Sequence, residues 1–170
     1  MPIVLDRLAN PSAIAAPIPI LAQAAASSGF INARVDSDGV VREATPATDF
    51  SGERRFHLAL SMLTVGGQPD KAQQLLQRAG PDGNILIPYA GSTAHMRTVS
   101  YLSVLRGDVP AEALRGKYVL VGAWATGLGD AYPTPVSHDL SGMSGVEIIA
   151  NLLQAARDDV SCLRLSLIHI

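Results

Sequence analysis

Apolar residues run without interruption through Tyr118-Val119-Leu120-Val121, between Lys117 and Gly122. A run of this kind lacks the alternation of a half-exposed strand and predicts one covered on both faces, in the middle of an α/β sheet. The chain leaves it through Gly122, Gly127 and Gly129. Open α/β sheets place ligands outside the carboxyl ends of their strands, so a functional loop is expected here. Further on, Ser144 and Glu147 stand at capping-box spacing, and Val146, Ile149, Ala150 and Leu153 recur at the helical period as a buried stripe.

The rest of the chain alternates between the two periods. Pro11 to Pro19 reads as a connector, followed by a short helix from about Ile20 with Leu21, Ala24 and Ala25 on its buried face. Phe30 to Ala44 predicts a hairpin turning at Asp36-Ser37-Asp38-Gly39, because Asp-Gly between alternating runs favours a tight turn. His57 to Val65 and Asp70 to Arg78 predict helices that end at glycines. A Pro81-Asp82-Gly83-Asn84 turn introduces the strand Ile85-Leu86-Ile87, and Ser100 to Arg106 and Ala111 to Leu114 predict a short helix and a single turn. The fold class expected is α/β, a mixed sheet with flanking helices.

At 170 residues and 48% hydrophobic side chains, the chain suits one core. A formal charge of −2, with no basic cluster interleaved with aromatics, argues against nucleic acid as a partner. The single cysteine, Cys162, defines neither a disulfide nor a metal site. The apolar stretch Ala13 to Ala26 is broken by Pro17, Pro19 and Gln23 and falls short of the roughly 18–20 residues of a membrane span. The tail Leu165 to Ile170 reads as one frame of a sequencing-library adapter, so residues 160–170 are set apart from the expected domain at 18–159, with 1–17 a connector or partial start.

Several constellations invite a chemical reading. Asp36, Asp38 and Gly39 suggest a calcium loop, but the further acidic ligands and the distal Glu are missing, which favours a plain turn. Gly122, Gly127 and Gly129 match neither the dinucleotide-binding spacing nor a P-loop with its Lys. Ser92, Ser141, Ser144, His57, His95, His138 and Asp130 supply hydrolase residue types, yet no serine sits in a nucleophile elbow, and no catalytic residue, metal or cofactor is assigned. Trp124 either stacks on a ligand or packs between strand and helix. Asp130 with Tyr132 is the strongest polar candidate, since a loop carboxylate after a strand either holds loop amides or meets a ligand.

The order of motifs is itself informative. A Gly-Phe hairpin with Asp-Ser-Asp-Gly-Val-Val-Arg is followed by Ser-Tyr-Leu, Gly-Lys-Tyr-Val-Leu-Val-Gly, Gly-Leu-Gly-Asp, Thr-Pro and Met-Ser-Gly-Val-Glu with a later Ala-Asn. From about Ile18 to Leu153 this resembles CHASE-two, the second class of CHASE sensory domains. Its motif positions here are Asp36, Asp38, Gly39, Arg42, Gly122, Pro135, Ser144, Gly145, Glu147 and Asn151. One departure is Ile149, where the family often has a histidine. The resemblance implies a bacterial sensor outside the cytoplasmic membrane, attached through flanking membrane segments to a cyclase, a histidine or serine/threonine kinase, or a cyclic-di-GMP enzyme. It also implies that this chain is the later, truncated part of such a domain, with an edge or apolar face of its sheet uncovered.

On this reading the partner is an unidentified small molecule or protein signal, with a second copy of the domain as a further candidate. Trp124, Gly127, Gly129, Asp130, Tyr132 and Thr134 are the expected ligand contacts. The competing readings are a small-molecule hydrolase or transferase and a purely structural dimerisation module.

Overall fold

A computed structural model describes residues 1–5, 8, 11–92, 95–123, 130–137 and 142–162. Strand β1 (Pro2–Leu5) buries Ile3 and Leu5 and lies between β2 (Ile14–Ala15), antiparallel to it, and β3 (Gly29–Phe30), parallel to it. Residues 1–17 therefore contribute the middle strand of a three-stranded mixed sheet. Helix α1 (Pro19–Ala24) joins β2 to β3 and buries no residue. Leu21 is exposed, contrary to the amphipathic face its sequence predicts, because a six-residue helix with Ile20 also in solvent is packed on neither side.

The hairpin follows. Asp36 N–H donates to the Val40 carbonyl, Gly39 takes φ +83°, and an isolated bridge pairs Arg34 with Glu43. Its return limb ends in β4 (Glu43–Ala44). A second hairpin, β5 (Ala47–Phe50) and β6 (Glu53–Phe56), turns at Ser51 and Gly52, both with positive φ as a tight two-residue turn requires. Helix α2 (Leu58–Val65) is capped by His57, and α3 (Pro69–Gln77) starts with Pro69 in its first turn, where a missing N–H does no harm. Strand β7 (Ile85–Leu86) pairs antiparallel with β4. Helix α4 (Tyr101–Leu105) and a 3-10 turn at Ala111–Ala113 come next. The antiparallel pair β8 (Ala131–Tyr132) and β9 (Met143–Ser144) leads into α5 (Gly145–Arg157).

The architecture is α/β, but the described strands form one small mixed sheet and three two-stranded ribbons, with no broad central sheet. Tyr118 to Val121 is not a strand: Val119 and Val121 are exposed, and no described strand lies beside the segment. An apolar run supplies β-propensity, but strand geometry needs a neighbour to complete the ladder.

The main core lies where α2, α3 and α5 pack on one another. Leu63, Leu75, Leu152 and Met143 are its fully buried centre, and Ile3, Leu5 and Phe30 form a smaller cluster under the mixed sheet. The buried stripe of α5 is broader than its sequence period predicts. Ile148, Leu152, Ala155 and Ala156 join Ile149 and Leu153, while Val146 and Ala150 are only half-buried, because the helix is wedged against two others.

Candidate functional site

Among the described residues, Gly122, Asp130 and Ser144 meet at the start of α5. Ser144 is its N-cap: Ser144 Oγ accepts from Glu147 N–H at 3.4 Å, and Ser144 N–H donates back to Glu147 Oε2 at 3.3 Å. This reciprocal box satisfies two helix-end donors and holds Glu147 at 3% exposure. One turn on, buried Asn151 ties the helix to its surroundings. Its Oδ1 accepts from Ala90 N–H at 2.9 Å, and its Nδ2 donates to the Glu147 carbonyl at 2.9 Å.

Asp130 meets the helix from the other side. Gly145 N–H donates to the Asp130 carbonyl at 3.1 Å, and a Cβ on Gly145 would stand 2.7 Å from Asp130 Oδ1, so a larger residue there would displace the carboxylate. The carboxylate thus lies against the positive end of a thirteen-residue helix. Tyr132 pairs across to Met143. Burial pushes the Tyr132 pKa up, and the neighbouring Asp130 charge pushes it further.

The other predicted positions separate into turn anchors and packing contacts. Thr134 is buried, with its N–H donating to Ser137 Oγ at 3.1 Å and its hydroxyl 2.9 Å from the same atom, so its polar atoms serve the turn around Pro135. Gly122 passes close over α5, where an added Cβ would lie 2.5 Å from Val146 Cβ. Asp36 and Asp38 are bridged by Arg42, whose Nη1 reaches Asp36 Oδ2 and Asp38 Oδ1 at 2.9 Å and whose Nη2 reaches Asp38 Oδ2 at 2.7 Å. These bonds to Arg42 hold the Asp38 carboxyl down at about 2. The hairpin therefore neutralises its own acids, and among the described residues no acid, His or Cys cluster has metal-holding geometry. Trp124, Gly127, Gly129, His138 and Ser141 lie outside the described residues.

A cavity of about 420 Å³ opens beside the corner. Val119, Val121, Met62 and Ile149 give it apolar walls, with Asp130 and Tyr132 at one side and His57 in the wall. Sequence reading assigned His57 only to the hydrolase types, and no triad forms around it, since its Nδ1 accepts from Ala59 N–H and the Ser144 hydroxyl is held in the helix cap. The ring stands edge-on to Phe30 with centroids 5.5 Å apart. What the sequence lacked was any mark that His57 would border a cavity, because the opposing wall comes from residues more than sixty positions away.

Burial lowers the His57 pKa from 6.5 to about 4. The folded form thus resists a proton that the unfolded chain accepts. Stability is fully present above about pH 6.5 and falls as the pH drops towards 4. Urea midpoints measured from pH 7 to 4.5 should decline, and should decline less in His57→Gln; equal slopes in both proteins would contradict this account.

These features define an α/β domain in which a loop corner, a helix N-terminus and an apolar cavity meet. The CHASE2 domain family model matches residues 4–167, and the chain belongs to that family. CHASE2 domains are sensory, non-catalytic, extracellular modules associated with signalling receptors. No curated protein and no solved structure matches the chain. Among the described residues, no helix is long and apolar enough to cross a membrane.

Proposed function

We propose that this chain is the extracytoplasmic sensory domain of a bacterial transmembrane receptor. A small-molecule or protein signal engages the loop corner and displaces α5, which passes the change through a membrane segment to a cytoplasmic cyclase, kinase or cyclic-di-GMP enzyme. The domain itself performs no chemistry. The observation that supports this reading is the double role of Asp130, which is bonded through its carbonyl to the first residue of α5 and sets its carboxylate against the same residue, Gly145. Any rearrangement of the loop that moves Asp130 therefore changes the seating of α5. A signal acts only through its differential affinity for the two seatings.

Removing the carboxylate should bias the same equilibrium without a ligand. In the intact receptor, Asp130→Ala is expected to change unstimulated output by at least about fivefold, the lower end of ordinary coupling energies. Unchanged output from a receptor whose sensory domain remains folded would refute the coupling.

A further inference from the structure

The carboxyl end of α5 carries a residue that its position disfavours twice. The helix closes with Val160 N–H donating to the Ala155 carbonyl at 3.0 Å across Asp159, whose φ of +55° lies in the left-handed region. Glycine is the usual residue at such a turn, and a side chain there is strained. A carboxylate is also misplaced at the negative end of a helix dipole. Burial does not hold it there, since 59% of the Asp159 side chain is exposed.

Both disadvantages are offset from α3. Lys71 in its first turns and Arg78 at its end stand seven positions apart, on one helical face, and both reach Asp159. Lys71 Nζ donates to Asp159 Oδ2, and Arg78 Nη2 lies 3.5 Å from Asp159 Oδ1. A lone surface pair of this kind would matter little. Here the same guanidinium also holds the turn itself, with Nη1 donating to the Val160 carbonyl at 2.7 Å and to the Ala155 carbonyl at 3.3 Å. Charge and backbone are thereby gripped by one half-buried side chain. We infer that Lys71, Arg78 and Asp159 form a latch between α3 and α5, which fixes the direction of the chain beyond Val160 and gives that direction up when α5 is displaced. The latch rests on the receptor reading only for what its opening conveys, since its closure is measurable in this chain alone.

The test is amide hydrogen exchange of the 170-residue chain, read by NMR at Val160, with Leu152 in the middle of α5 as the control for folding. Asp159→Gly removes the carboxylate while supplying the residue that a left-handed turn prefers. A turn held by its backbone alone would keep or gain protection in this variant. The latch predicts a loss of roughly fivefold at Val160 with none at Leu152. Lys71→Met should lose about twofold by itself and nothing further when added to Asp159→Gly, since Lys71 acts only through the carboxylate. Raising the salt from about 0.1 to 1 M, which shortens the screening length from roughly 10 to 3 Å, should lower Val160 protection in the unaltered chain and leave it unmoved in Asp159→Gly. Val160 protection that is equal or higher in Asp159→Gly overturns the latch, as does a separate Lys71→Met loss in the double variant or the same salt dependence in both proteins. None of these outcomes bears on Asp130, so the receptor coupling stands or falls on the Asp130→Ala output alone.

Discussion

Gly29→Ala is expected to lower stability by about 3 kcal/mol, seen as a Tm roughly 6–12 °C lower and a reduced urea midpoint with little change in slope. The reason lies in how closely β3 approaches α2. A Cβ on Gly29 would stand 2.5 Å from Leu58 Cα and 2.8 Å from Leu58 N, both backbone atoms that no side-chain rotation can move. Relief requires shifting the start of α2 or the end of β3, and both are anchored. Gly29 N–H donates to the Met1 carbonyl, Phe30 is fully buried, and the Ser28 carbonyl accepts from Ser61 Oγ in α2. Gly29→Ala with unaltered stability would mean that the sheet and α2 are not in contact as described.

That contact also marks the boundary between what the sequence discloses and what it does not. Gly29 is legible as part of a Ser-Ser-Gly helix stop, but nothing local announces that another helix will press on it. The features that were legible are those fixed within a few residues: the Asp36–Gly39 turn, helices beginning near His57 and Asp70, and the Ser144–Glu147 box. Each is a short-range steric or capping preference that survives in almost any tertiary setting. Tyr118 to Val121 shows the opposite case. Its composition is that of a buried strand, yet pairing is a property of two segments, and Val121 ends up 76% exposed.

The β5–β6 hairpin escaped for a related reason. Glu53-Arg54-Arg55-Phe56 has no apolar alternation, and the hairpin is held instead by its Ser51-Gly52 turn and a full ladder with Ala47–Phe50. The site was legible to a similar depth. Asp130 stood out as a loop carboxylate, and its carbonyl accepts from Gly145 N–H at the start of α5, while Tyr132 pairs with Met143. Thr134 was expected as a ligand contact, and its hydroxyl lies within its own turn. The cavity itself depends on residues from both ends of the chain, so it has no sequence signature.

Leu152→Ala tests whether that cavity and the helical core share one wall. Leu152 is 1% exposed, belongs to the central cluster of α2, α3 and α5, and also borders the cavity. Truncation at such a site removes transfer free energy and leaves unfilled volume, and should cost about 2–5 kcal/mol, or a Tm lower by roughly 5–15 °C. The void created should extend the cavity, so cyclooctane, which binds only the folded form, should recover part of the lost Tm in a concentration-dependent way. Leu63→Ala is the matched control. Leu63 is equally buried and sits in the same core, but it does not line the cavity, so it should lose comparable stability without recovery. Equal recovery in the two variants would show that the hydrocarbon fills any core void, and recovery in neither would show that the space beside Leu152 closes when the side chain is removed. Recovery in Leu152→Ala alone would make α5 a common wall of core and cavity, the arrangement in which an occupant of the cavity bears directly on the helix.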